Sequence, residues 1–293
     1  MLAVVILFLI VISEKFILMN LSCKKTLTFL VNNTLGKNAI KLCGILLLTA
    51  GTYSFGNQIQ AQTAGEIPEE LAETIAEMET AANEQNLDEL MDYYAENFTN
   101  EDGLTAESVE AALEETWATY PQMTYDIAVD SWEEKGDEFV AETTTKITGS
   151  QDTQGRVVRL ESDIRSRQYF QDGKMVKQEI LTEETRLTTG DRPPQIKVNL
   201  PETVKVGEKY NFDTIVTEPL DGGVLLGAAL EERTGINRYL NPSELELEPL
   251  SAGGIYKVVT APRLEDNHWL SAIVIRGNGI TMVTKRVRIE EQN

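Results

Sequence analysis

Histidine and cysteine are almost missing from this chain. Its 293 residues include one histidine, His268, and two cysteines, Cys23 and Cys43. Both cysteines precede residue 62, so the part that folds downstream has no disulfide and no thiol nucleophile. With so few ligating side chains, zinc-site spacing is absent, and a histidine–aspartate dyad is excluded from the N-terminal half. Basic charge is scarce as well. The formal net charge is −21. Only five of the 26 basic residues (Lys15, Lys24, Lys25, Lys37 and Lys41) and one acid, Glu14, precede residue 62, which leaves 46 acids against 21 bases beyond it. A surface this acidic repels nucleic acid and anionic lipid, so neither is expected as a partner. There is no phosphate-binding loop and no G-x-S-x-G. Asn100-Glu101-Asp102-Gly103 lacks calcium-loop spacing, because Phe98 stands where the loop needs its first carboxylate. No cofactor and no metal are expected.

Long apolar runs are also lacking. Residues 2–12 are apolar, but Ser13-Glu14-Lys15 ends the run before it reaches a membrane-spanning length. From Met19 the chain reads as an export signal: lysines at 24, 25, 37 and 41, an apolar stretch from Leu42 to Ala50, and a cleavage site after Ala61. Residues 1–61 are thus expected to be an export leader, with Met19 as an alternative start, and the mature chain to be periplasmic or secreted. The rival expectation is a retained anchor made from residues 39–55. No stable span is expected after cleavage.

The next stretch is rich in acids and has helical periodicity. Pro68 suits a first helical turn, and Ile67, Leu71, Ile75 and Met78 form one apolar stripe. Asn86 with Glu89 resembles a capping box before a second helix, whose buried positions would be Leu87, Leu90, Met91, Tyr94 and Phe98. Thr105 caps a third helix carrying Val109, Leu113, Trp117 and Tyr120, and Pro121 stops it. The period then changes from 3.6 to 2. Met123, Tyr125, Ile127 and Val129 alternate with polar residues, as in a half-buried strand. Further strands are expected from Phe139 to Gly149, from Arg156 to Gln171 and from Lys174 to Leu187. Asp172-Gly173 joins the last two, since a tight hairpin turn needs positive φ at both central positions.

Three helices followed by four long antiparallel strands resemble the nuclear transport factor 2-like superfamily, in its SnoaL-like, polyketide-cyclase-like branch. Tyr93-Tyr94-Ala95-Glu96-Asn97-Phe98 and Tyr169-Phe170-Gln171-Asp172-Gly173-Lys174-Met175-Val176 carry the resemblance, which covers about residues 66–188. It implies an α+β cone, a curved sheet wrapped round a helix to enclose a pocket. Members include isomerases, dehydratases, cyclases and hydrolases, and many non-catalytic binding or dimerisation modules. Strand parity then selects pocket residues. Val158, Leu160, Ser162, Ile164, Ser166, Gln168 and Phe170 share one face, and an unbulged hairpin sets Ser166 opposite Glu179 and Gln168 opposite Lys177. Tyr94, Trp117, Tyr120, Ser166, Gln168 and Glu179 are therefore the expected pocket residues. Glu179 is the one candidate general acid or base, unless it pairs with Lys177 at a solvated rim. The opposite face, with Arg165, Arg167, Tyr169, Val176 and Ile180, is expected to make a homodimer.

Thr189 to Pro194 reads as a linker, after which the acidic helical character ends. Residues 191–293 hold 15 acids and 12 bases, and short apolar strands recur between turns. Residues 195–293 are expected to form an immunoglobulin-like β-sandwich, with Trp269 in its core and His268 on its surface. The functional expectation is an exported, non-catalytic binding or assembly protein with a small apolar ligand in the cone. The alternatives are a pocket enzyme of isomerase, dehydratase or cyclase type, and a structural adhesion module.

Overall fold

A computed structural model describes residues 66–153, 155–219, 223–235, 246–251, 253–277 and 279–291. The export leader and its cleavage site lie outside the described residues. No helix among those described is long and apolar enough to cross a membrane.

Helix α1 spans Glu69–Asn83 and buries Leu71, Ile75, Met78 and Ala82, one face at helical spacing. Glu69 and Glu70 stand in its first turn, where negative charge suits the helix dipole. Helix α2, Leu87–Asp92, is capped by Asn86, whose side chain accepts the Glu89 N–H and donates to the Glu89 carboxylate at 2.6 Å. This helix is shorter than the sequence pattern suggests. Tyr94–Asn100 is instead a strand, β1, paired parallel to a later strand. Tyr94 and Phe98 still bury together, ring edge to ring face at 5.0 Å, so their spacing of four fits either structure. Sheet pairing decides the outcome. Helix α3, Ala106–Thr119, opens on a complete capping box between Thr105 and Ser108.

Four long strands follow: β2 Gln122–Lys135, β3 Glu138–Thr153, β4 Arg156–Gln171 and β5 Lys174–Thr189, each antiparallel to the one before. Asp172 and Gly173 both have positive φ (51° and 71°), as a tight turn requires. Strand β5 is not regular, however. Two extra residues, Val176 and Leu181, interrupt its pairing with β4. Each bulge reverses which side chains face the helices.

The C-terminal strands are β6 Ile196–Asn199, β7 Thr203–Lys205, β8 Lys209–Val216, β9 Leu225–Arg233, β10 Glu248–Pro249, β11 Gly254–Thr260, β12 Asp266–Arg276 and β13 Gly279–Glu290. They form two layers. A small sheet runs β11-β8-β6, and a large one runs β10-β9-β12-β13-β5-β4-β3-β2. The large sheet therefore passes without a break from one half of the chain to the other. Strand β13 pairs with β5 from Ile280↔Thr189 to Lys285↔Glu184. The stretch expected to be a linker is fastened to this seam, where Thr281 donates to the Pro194 carbonyl at 2.7 Å.

Continuity of the sheet explains the apolar run in β12. Leu270 and Ala272 pack between the two C-terminal layers with Phe212, Ile255 and Val287. Trp269, Ile273 and Ile275 join the core of the helical half, along with Leu113 and Phe170. Both faces of β12 are covered, so the polar–apolar alternation of a half-exposed strand disappears. His268, expected on the surface, is half-buried beside carboxylates, with its side chain 14% exposed and Nδ1 2.8 Å from Glu231.

Candidate functional site

The bulges of β5 decide what the cone interior contains. With Val176 looped out, Gln168 lies opposite Gln178, and Ser166 opposite Ile180. Glu179 lies opposite Arg167 on the outer face. The expectation that Glu179 points into the cone does not hold, because it assumed an unbroken hairpin register. Its carboxylate instead accepts from Lys177 at 2.7 Å and from the Tyr169 hydroxyl at 3.2 Å, with Arg167 at 3.4 Å. Although partial burial works against ionisation, these donors hold its carboxyl below the usual carboxylate range. Ile180 is corrected in the opposite sense. It is fully buried in the interior and cannot belong to a dimer face. Arg165 is exposed on the outer face, while Arg167, Tyr169 and Val176 are half-buried.

Tyr94, Trp117, Tyr120, Ser166 and Gln168 are all buried. Trp117 donates its indole N–H to the Tyr125 hydroxyl at 2.9 Å. Gln168 donates to the hydroxyls of Thr143 (3.1 Å) and Ser166 (3.2 Å). The bulge adds a residue that the sequence pattern missed. Gln178 is 1% exposed, with Gln168 beside it on β4 and Asn100 beside it on β1. Three carboxamides thus stand side by side across β1, β5 and β4. Asn100 Oδ1 accepts the Asp102 N–H at 2.7 Å and the Leu104 N–H at 3.4 Å, which fixes its Nδ2 as a donor. Neither Asn100 Nδ2 nor Gln178 Nε2 has a hydrogen-bond partner among the described residues. An unmet buried donor costs on the order of 1–3 kcal/mol, and here there are two at neighbouring positions.

A second group of polar side chains lies next to this row. Strand β5 has β1 along its edge up to Gln178 and β13 from Glu184 onward. The gap between them is filled by the turn after β1, where Glu101 accepts the Ile180 N–H at 2.9 Å. Arg286 of β13 reaches into the same place. It donates to Asp102 at 2.5 and 3.1 Å and to Glu183 at 3.1 Å, and Glu101 lies 3.4 Å away. Trp269 donates its indole N–H to Glu183 at 3.0 Å. The side chains of Arg286, Asp102 and Glu183 are essentially unexposed. One guanidinium faces three carboxyl groups, so negative charge is in excess. Burial, opposed by Arg286, pushes the Glu183 and Glu101 carboxyls above their ordinary range, and Asp102 pushes both the same way. Sequence did carry a signal for this cluster. Arg286 interrupts an apolar strand, and Glu183 shares an inward parity with Thr185 and Leu187 once the bulges are counted.

Among the described residues, no group of three or more His, Cys, Asp or Glu is placed to hold a metal ion.

Residues 75–178 match the family model of the SnoaL-like domain, and residues 191–290 match that of a domain of unknown function, DUF8623. The first match supports a nuclear transport factor 2-like α+β fold for the helical half. No curated protein matches the chain. Solved structures similar to it include IdmH, a candidate polyketide cyclase of Streptomyces antibioticus (18% identity, 37% of this chain, 88% of that chain, TM-score 0.29). A candidate scytalone dehydratase of Novosphingobium aromaticivorans is 12% identical over 39% of this chain and 83% of its own, with a TM-score of 0.34. Bd1075 of Bdellovibrio bacteriovorus is 14% identical over 38% of each chain, with a TM-score of 0.28. At such scores these neighbours decide nothing about activity here.

Proposed function

We propose that the helical half is a non-catalytic binding module, holding a small and mainly apolar molecule by a neutral hydrogen-bond acceptor such as a carbonyl oxygen. The supporting observation is the pair of buried amide donors, Asn100 Nδ2 and Gln178 Nε2, which lack partners among the described residues. Their surroundings are apolar, with Tyr94, Phe98, Met175 and Ile180 in the same core. An anionic acceptor is disfavoured, since Glu101 and Asp102 directly follow Asn100. Opposite Ser166, where an unbulged strand would place Glu179, Ile180 stands, and the polar interior position opposite Gln168 is an amide, which is no general acid or base at neutral pH.

A bicyclic ketone and its parent hydrocarbon separate the cases. Saturable quenching of tryptophan fluorescence is expected with 1-tetralone and much weaker quenching with tetralin. Gln178→Leu should weaken ketone binding about tenfold, the worth of one well-made hydrogen bond. Equal binding of both compounds, or of the ketone to both proteins, refutes the assignment.

The alternative is a pocket enzyme of isomerase, dehydratase or cyclase type. Glu183 is the interior carboxylate it would use, but its Oε2 already accepts from both Trp269 and Arg286. Export, an immunoglobulin-like identity for the C-terminal layers, and adhesion through them stay within this proposal. So does a homodimer through the outer face of Arg165, Arg167, Tyr169 and Val176, now without Ile180. A monomer in sedimentation at high concentration would rule out the dimer.

A further inference from the structure

Among the described residues, the C-terminal half has an open side. Strand β11 is the edge of the small sheet and pairs only with β8 among the described residues, so one side of its backbone, from Gly254 to Thr260, carries no strand. Two adjoining cavities, of about 330 and 340 Å³, run along it. One wall is Ile255, Lys257 and Val259 of β11; the other is Ala228, Ala229 and Leu230 of β9 with Leu250 just after β10. Lys257 lines both cavities and donates to the Ala229 carbonyl at 3.1 Å, so its side chain divides the groove into two lobes. The rim is acidic: Glu246 and Glu248 at one end, Glu231 at the other. Tyr256 and Val258, on the opposite face of β11, are 55% and 70% exposed. An aromatic and a β-branched side chain are what a neighbouring strand covers in a paired sheet.

Each of these features is missing one more strand. An unpaired edge offers backbone donors and acceptors, alternate side chains of an added strand fall on opposite faces, and residues two apart are about 7 Å apart. Two alternate side chains of such a strand would lie on either side of Lys257, which lines both lobes.

We propose that β11 accepts an extended peptide segment as a fourth strand of the small sheet, with two alternate apolar side chains in the lobes and basic side chains at the ends. Cationic ends follow from charge complementarity, since Glu231, Glu246 and Glu248 outnumber Lys257 around the groove. The proposal does not depend on what the helical half binds.

The test uses the full chain and a dye-labelled peptide, acetyl-Lys-Leu-Thr-Leu-Lys-amide, in fluorescence anisotropy at low salt. Saturable binding below about 1 mM is expected, the range for a short peptide held mainly by backbone pairing. N-methylating the alternate amides that face β11 should weaken it about tenfold, and so should replacing both lysines by glutamate. A Glu231→Lys, Glu248→Lys double variant alters exposed side chains only. It should keep its circular dichroism spectrum, lose the lysine peptide and gain the glutamate one. In hydrogen exchange, bound peptide should protect amides of β11. Equal binding of the N-methylated peptide overturns strand addition, and failure to saturate overturns the site. A dimer of the free chain that the double variant dissolves would assign the groove to a second copy and overturn the peptide.

Discussion

Strand β5 carries two charge clusters of similar make-up only a few residues apart, one on each face. Outside, Glu179 sits with Lys177 and Arg167, whose second partner is Glu142 at 2.7 Å. Inside, Glu183 sits with Arg286, Asp102 and Trp269. The outer side chains are 24–48% exposed, and the inner arginine and its two closest acids are 0–1% exposed. Water screens the first cluster and lets it rearrange. In the second, every lost partner leaves a bare charge in the protein interior. Clusters that both pair arginine with carboxylates thus do little at one place and link two halves of the molecule at the other.

Removing the arginines breaks the comparison most sharply. Arg286→Met should lower unfolding free energy by roughly 3–5 kcal/mol, because Asp102 and Glu183 stay buried without a counter-charge. Arg167→Met should cost no more than about 1 kcal/mol. Urea unfolding of both variants measures the difference, and similar losses would deny that the inner cluster is a junction.

Acidity sharpens it next. Glu183 is held above its unfolded range, so between the unfolded and native values the folded chain binds more protons than the unfolded one. Stability must then fall as pH rises through that interval, and Glu101 contributes in the same direction. Glu183→Gln keeps an acceptor for Trp269 and Arg286 but cannot ionise. Its stability relative to the parent should therefore rise with pH, by an amount on the order of 1 kcal/mol. A relative stability that stays flat from acidic to neutral pH would show that Arg286 fully offsets the burial of Glu183.

Glu179→Gln is expected to have the smallest effect, within about 1 kcal/mol at neutral pH and smaller still in high salt. Its native carboxyl is held low by Lys177, so its contribution is present at neutral pH and lost as pH falls through the native value. A large stabilisation by this substitution would return Glu179 to the interior.

Local structure was legible in the sequence where local rules decide it. Strand β4 runs from Arg156 to Gln171 as its alternation predicts, the Asp172-Gly173 turn has the expected backbone, and Thr105 caps α3. Parity failed at Val176, because nothing in the run Lys-Met-Val-Lys-Gln-Glu-Ile-Leu marks which residue loops out. That single bulge put Ile180 in place of Glu179 opposite Ser166 and Gln178 in place of Lys177 opposite Gln168, so the interior lost a proton-transfer candidate and gained an amide. The ending of α2 was misread because Tyr94 and Phe98 satisfy a helix and a bulged strand equally well. The pairing of β13 with β5 was invisible for another reason: its partners are about a hundred residues apart in sequence, beyond the reach of periodicity.

That pairing also has a consequence for how the chain is made. A ribosome delivers Asp102 and Glu183 long before Arg286, which follows them by 184 and 103 residues. Until β13 appears, β5 presents a bare edge from Glu184 to Thr189, and two acids face an interior without their cation. Bare edges recruit other chains, and contacts between distant residues form slowly. The helical half, although synthesised first, is therefore expected to complete its sheet only once β13 has joined β5. The two family matches meet in a single sheet, and the chain is expected to mature as one cooperative unit rather than one domain after another.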